Sequence, residues 1–234
     1  MITTVLFDLD GTLLPMDQDK FVKSYLGRMA QKLTPQGFDP DLLVKGIWKG
    51  TGAMVKNTGT TTNDLVFWDT FDRFFERNTR ADEPLFEEFY RKEFQLVRHD
   101  CGFDPAAAQA IAAIKNMGYR VVLATNPLFP AIATYSRVRW AGLAPEDFEW
   151  ITTYENSSRC KPNPDYYQEI LDKLNLKAEE CVMVGNDVDE DMIARELGFS
   201  VFLLPDCLIN KSNKDTSQYP HGSFPELLDF IRSL

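Results

Sequence analysis

The sequence predicts an α/β protein, a parallel sheet covered by helices with a helical segment inserted after the first strand. Three observations carry that expectation. Short apolar, β-branched runs recur at Thr3 to Phe7, Arg120 to Ala124, Trp150 to Thr153, Cys181 to Val184 and Ser200 to Leu204, as strands buried on both faces require. After residue 100 these runs alternate with segments of helical periodicity, the pattern of βαβ units. Between about Pro15 and Arg98 the rhythm breaks, and amphipathic stretches succeed one another with no strand pattern between them.

Taken in chain order, the first run ends directly in Asp8-Leu9-Asp10-Gly11-Thr12. The insertion then offers three apolar stripes at helical spacing: Phe21, Tyr25, Met29 and Leu33; Leu65, Trp68, Phe71 and Phe75; and Leu85, Phe86, Phe89 and Phe94. Aromatic stripes of this kind are helix-packing surface. The Gly- and Thr-rich segment Lys49 to Thr62 reads as a loop between those helices, with Lys49, Lys56, Asn57 and Thr58 either solvated or reaching a substrate. Further helices are expected at Pro105 to Met117, Phe129 to Ala141, Asp165 to Leu174, Glu190 to Leu197 and Pro225 to Arg232, with Gly118, Gly142 and Gly198 where C-terminal caps belong. The expected division is an α/β core of residues 1–14 and 99–234 and a helical domain of residues 15–98.

At 234 residues the chain can bury a sizeable core. Its formal charge of -10 opposes binding to a polyanion or an anionic membrane surface, so neither nucleic acid nor membrane is an expected partner. An acidic whole can still hold a positive pocket for a small phosphorylated substrate. Cys101, Cys160, Cys181 and Cys207 form no CxxC or Cys/His cluster and are read as reduced thiols. The first strand starts at Ile2, leaving no room for a signal peptide, and no apolar run approaches a membrane span. A cytoplasmic location is the expectation. The sequence leaves the oligomeric state open.

The chemistry concentrates in loops that follow strands, whose C-terminal ends converge on one crevice in an open parallel sheet. By chance the fixed letters of Asp-x-Asp-Gly-Thr occur about once in a thousand chains of this length. Asp8 suits nucleophilic attack on phosphorus, giving an aspartyl-phosphate. Asp10 can protonate the leaving oxygen and later take a proton from water, while Gly11 permits a sharp turn. Like charges 4 Å apart repel by about 4 kcal/mol at an effective dielectric of 20, so a cation must sit among these carboxylates and the phosphate. Hard oxygen ligands suit Mg²⁺.

Gly185-Asn186-Asp187-Val188-Asp189-Glu190-Asp191 again joins an apolar strand to an acidic loop. Asp187 is the expected third metal ligand, Asn186 the competing one, and Asp191 a supporting carboxylate. Thr125, with Asn126, ends another strand and can hold a phosphoryl oxygen. Lys161, in the stiff Cys160-Lys161-Pro162-Asn163-Pro164 loop, can neutralise the nucleophile and the phosphoryl group.

These four elements in this order, Asp8-x-Asp10-Gly11-Thr12, Thr125, Lys161, and Gly185-Asn186-Asp187 with Asp191, resemble the haloacid dehalogenase-like hydrolase superfamily across the whole chain. The resemblance implies a Rossmann-like core with an inserted helical type 1 cap. It implies Asp8 as nucleophile and metal ligand, Asp10 as acid/base whose backbone carbonyl also binds Mg²⁺, Thr125 and Lys161 as phosphate holders, and the acidic loop as metal support. One departure is that the family usually has an acid directly after the glycine of the last motif, where Asn186 stands here. An acid at position 10 favours phosphoryl transfer, since dehalogenases and phosphonate-cleaving members lack it. The expected activity is a Mg²⁺-dependent phosphatase acting on a small phosphate monoester. A phosphosugar mutase of the same fold and a non-catalytic interaction module are the alternatives.

Overall fold

The computed structural model describes residues 1–234. The chain runs β1 (Thr4–Phe7), α1 (Gln18–Leu33), α2 (Pro40–Val55), α3 (Asn63–Phe75), α4 (Glu83–Arg91), α5 (Pro105–Asn116), β2 (Arg120–Leu123), α6 (Ala131–Trp140), β3 (Trp150–Ile151), α7 (Asp165–Leu174), β4 (Cys181–Gly185), β5 (Ser200–Leu203) and α8 (Phe224–Ser233). All five expected strands form, all parallel, in the order β3-β2-β1-β4-β5.

Side chains alternate across a strand with a period of two, and the sheet uses both sets. Val5, Phe7, Val121, Leu123, Val182 and Val184 face one apolar cluster, which also takes in α5 and α8. Leu6, Val122, Met183, Val201 and Leu203 face a second, built on Tyr166, Tyr167, Ile170 and Leu171 of α7. Burial on both faces explains why these strands are continuously apolar in sequence. Phe7 pairs with Leu123 on one side and Val184 on the other, so β1, β2 and β4 end at the same level. Asp8, Thr125 and Asn186 therefore emerge along one edge.

The outgoing chain meets the returning one where Met16 bridges Cys101 and the Gly102 N–H donates to the Pro15 carbonyl at 2.7 Å. Between those points lie α1 to α4 and a 3-10 stretch at Glu93–Asp100. The first apolar cluster runs from the sheet into this insertion without interruption. No helix is long and apolar enough to cross a membrane.

Two expectations about elements change. The Gly- and Thr-rich segment is helical as far as Val55, because α2 begins at Pro40 behind the N-cap Asp39 and continues through it. Glycine is a poor helix former, but here it lets two helices approach. A Cβ on Gly50 would lie 2.5 Å from the Phe67 ring of α3, and one on Gly46 2.8 Å from Phe71. Tertiary packing thus outweighs propensity. The other change is at Glu190–Leu197, where a 3-10 segment begins only at Met192. Of the polar residues in the Gly-rich segment, Asn57 is buried and donates to the Thr61 carbonyl and Asn63 Oδ1 at 2.9 and 2.8 Å. Lys49 Nζ sits 4.7 Å above the Phe74 ring. Neither lines the cavity at the strand ends.

Candidate active site

β1 delivers Asp8 to the sheet edge, where its N–H still donates to the Val184 carbonyl at 2.9 Å. The chain then turns tightly, with the N–H groups of Thr12, Leu13 and Leu14 all donating to the Leu9 carbonyl. Gly11 makes the turn possible, since its φ is +88° and any Cβ would collide with the Asn186 amide. The Thr12 hydroxyl donates to Asn186 Oδ1 at 2.8 Å, and Asn186 Nδ2 donates to the Cys207 carbonyl at 2.6 Å. The first and last motifs are thereby locked together.

Lys161 is 1% exposed, and its ammonium donates to Asp8 Oδ1 at 2.9 Å and Asp191 Oδ1 at 2.6 Å. Burial works against that charge, but the Asp191 and Asp8 carboxylates outweigh it and hold Lys161 well above the ordinary lysine range. Burial also pushes the Asp191 carboxyl up, to about 7, against the opposing pull of Lys161. The second Asp191 oxygen accepts the Asp187 N–H at 2.9 Å. Gly185 is required here, because a Cβ would occupy the Asp191 carboxylate.

A cavity of about 310 Å³ opens at this edge, and Asp8, Asp10, Thr125, Asn126, Asn186 and Asp187 line it together with Glu190 and Asp191. Lys161 lies directly behind Asp8. The eight predicted site residues, spread over 184 positions from Asp8 to Asp191, are thus one constellation. Thr125 is anchored through its carbonyl, which accepts from Thr152 Oγ1 at 2.6 Å and Tyr166 Oη at 2.9 Å. Asn126 differs from the expectation in its orientation. Its Nδ2 donates to Glu190 Oε2 at 3.0 Å and is 3.4 Å from the Lys161 carbonyl, leaving Oδ1 buried without a partner. Asp187 Oδ1 accepts the N–H groups of Asp189 and Glu190 at 2.8 and 2.9 Å.

Arg137 and Lys211 escaped the sequence reading, and Thr12 and Glu190 entered it only as members of their motifs with no role of their own. Arg137 is fully buried on α6 and donates to Asp10 Oδ2. Its guanidinium lies 4.3 Å from the Phe129 ring centroid and 6.0 Å from that of Phe21, within cation–π range. Burial raises the Asp10 pKa and Asp8 adds to it, while Arg137 opposes both by charge and hydrogen bond. The other Asp10 oxygen is buried without a protein partner. A signal for Arg137 was present, since it interrupts the buried stripe Ala133, Trp140 and Ala141 at helical spacing. Glu190, which burial raises, could be sought as the partner of Asn126. Lys211, on the cavity wall, carried no sequence signal.

No three acidic, histidine or cysteine side chains converge as a ready coordination shell. The oxygen set is mixed instead: the carboxylates of Asp8 and Asp187 and the Asn186 amide line one cavity. Magnesium is typically bound through one or two carboxylates with substrate oxygens and water completing its octahedron, so these donors fit it. The excess of carboxylates over Lys161, Arg137 and Lys211 also favours a cation.

An open parallel sheet with an aspartate pair at the end of its central strand, a buried lysine behind the first and a helical insertion above defines a class of hydrolase. A model of the family described as haloacid dehalogenase-like hydrolase matches residues 2–197. The chain belongs to that family. It is 30% identical to a glyceraldehyde 3-phosphate phosphatase of Methanocaldococcus jannaschii, over 100% of this chain and 99% of that one. It is 24% identical to a phosphoglycolate phosphatase of Nitrosospira multiformis, over 87% and 83% of the two chains. The crystal structure of a 2-haloacid dehalogenase from Pseudomonas syringae shares the fold, with a TM-score of 0.66 and 18% identity over 100% of this chain and 99% of that one.

Proposed function

We propose that this enzyme is a Mg²⁺-dependent phosphatase that hydrolyses a small phosphate monoester through an aspartyl-phosphate on Asp8. One observation carries the reading: Asp10 stands on the cavity wall beside Asp8, with one carboxyl oxygen held by Arg137 and the other without a protein partner. Such a group can hold a proton for a leaving alcohol, the feature a dehalogenase does without. The phosphatases among the relatives support it. A core of residues 1–14 and 99–234 under a cap of residues 15–98 belongs to the same reading, and a cytoplasmic setting agrees with four free cysteines.

In the first step a carboxylate oxygen of Asp8 forms a bond to phosphorus as the bond to the alkoxide oxygen breaks, and Asp10 passes its proton to that oxygen. Lys161 and the Thr125 hydroxyl bind the non-bridging phosphoryl oxygens, and Lys161 keeps Asp8 oriented. In the second step Asp10, now a carboxylate, takes a proton from water, whose oxygen attacks phosphorus and returns Asp8 as a carboxylate with release of inorganic phosphate. Mg²⁺, held by Asp8, the Asp10 carbonyl and Asp187 or Asn186, would screen the repulsion between carboxylates and phosphate and polarise the phosphoryl group. The Asn126 amide, committed to Glu190, orients that wall.

The direct test follows phosphate release from a generic aryl phosphate. We expect turnover with Mg²⁺ and a fall of at least about 100-fold after chelation, reversed by adding the metal back. Release indifferent to chelation, or isomerisation of a hexose phosphate without release, would overturn the reading.

Arg137 is a positioning residue in this scheme. Its charge opposes the upward shift of Asp10, so its removal raises that pKa further. In Arg137→Met the alkaline limb of the kcat profile should move to higher pH, with kcat lowered about 10- to 100-fold by the misplaced carboxyl, and Arg137→Lys should bring the limb back toward wild type. An unmoved limb with a lowered kcat would reduce Arg137 to a packing role.

A further inference from the structure

Beside the catalytic cavity lies a second chamber of about 360 Å³ between insertion and core, which shares Val22, Trp48, Leu128 and Phe129 with it. Its remaining wall is largely apolar, with Leu26, Ile47, Phe67, Trp68, Phe86 and Ile132 among its lining residues. Protein interiors are close-packed and seldom leave voids larger than a water molecule. An apolar opening of this size forfeits dispersion contacts on every wall, and it falls within the range of small-molecule sites.

The charged groups of the chamber are already engaged. Arg91 pairs with Glu87 at 2.8 Å, Glu83 lies 3.5 Å from Arg80, and Glu155 accepts the Ala131 N–H at 2.9 Å. The hydroxyls of Tyr25 and Tyr90 bond each other at 3.0 Å. No free cation remains for a second phosphate or a carboxylate, and no free carboxylate for a sugar. Of the donors left, the indole N–H of Trp68 is buried with no acceptor in hydrogen-bonding geometry, and Thr51 and Tyr154 add hydroxyls to the lining. Trp48, on the wall common to both spaces, is 53% exposed, and an occupant would cover it.

We infer that the chamber takes the leaving group, and that the substrate is a phosphate monoester of a largely apolar alcohol, aryl or alkyl, whose few polar atoms meet Trp68, Thr51 or Tyr154. This rests on the phosphatase reading for the phosphate end. It separates this chain from relatives named for small polar phosphates.

Calorimetric titration of the Mg²⁺-loaded protein with n-alkylphosphonates from methyl to hexyl reads the chamber without turnover. Burial of one methylene is worth a factor of about three to four in affinity. We expect a rise of about threefold per carbon through the series, and in Thr51→Trp, which fills the chamber, a hexyl-to-methyl affinity ratio at least about tenfold smaller. Equal affinities along the series, or no binding by any member, would overturn the inference. Phosphate release from phenyl phosphate is scored separately. Flat phosphonate affinities with normal hydrolysis remove the chamber alone, whereas rising affinities with no hydrolysis remove the phosphatase reading and leave the chamber standing.

Discussion

Asp8→Asn should abolish phosphate release, by a factor of at least about 10⁴, or about 5 kcal/mol of transition-state stabilisation. The amide has nearly the shape of the carboxylate but no nucleophilic oxygen, so the first covalent step is lost while the geometry survives. The fold should also survive, because Lys161 keeps its shorter contact to Asp191 at 2.6 Å. Circular dichroism and a denaturation midpoint near that of wild type would confirm that the loss is chemical. Turnover of the variant within tenfold of wild type would end the case for a covalent route through this residue.

Lys161→Met has a different signature, since it strikes both stability and turnover. The ammonium is buried between two carboxylates, and its removal leaves Asp8 and Asp191 facing each other without compensation. Breaking a buried pair in this way costs about 3–5 kcal/mol, readable as a lowered urea midpoint at pH 8. The pH dependence has a definite sign. Burial already raises the Asp191 carboxyl above its unfolded value, and without Lys161 only the weaker hydrogen bond from the Asp187 N–H pulls it back. A carboxyl raised in the folded state contributes stability that is present below the unfolded pKa and lost as pH rises through the folded one. The deficit of the variant should therefore be smallest near pH 4 to 5 and grow toward pH 8. A constant deficit across that range, or one under about 1 kcal/mol, would show that Lys161 is not the counter-charge of this pair.

The strands were legible because parallel strands buried on both faces must be apolar at every position, and Thr4 to Phe7 and Cys181 to Val184 are nearly so. The motif residues were legible because each closes such a strand. The helical reach of α2 was not, because Gly46 and Gly50 weaken a helix taken alone and help only against the Phe67 and Phe71 rings of another. The orientation of Asn126 was hidden for a similar reason: an amide presents either a donor or an acceptor, and Glu190 decides which by lying 3.0 Å away.

By itself the sequence determined the α/β class, the strand ends, and the residue types able to do phosphoryl chemistry, since these follow from local periodicity and from side-chain chemistry at strand termini. Only the tertiary structure decided that Arg137, 127 positions from Asp10, holds its carboxyl, and that an apolar chamber adjoins the acidic one. Charge pairing and cavity shape arise from groups brought together by the register of β1 with β2 and β4 and by the packing of α1 to α4 above it. Their energies depend on separation in space and on exclusion of water, neither of which any single stretch of chain encodes.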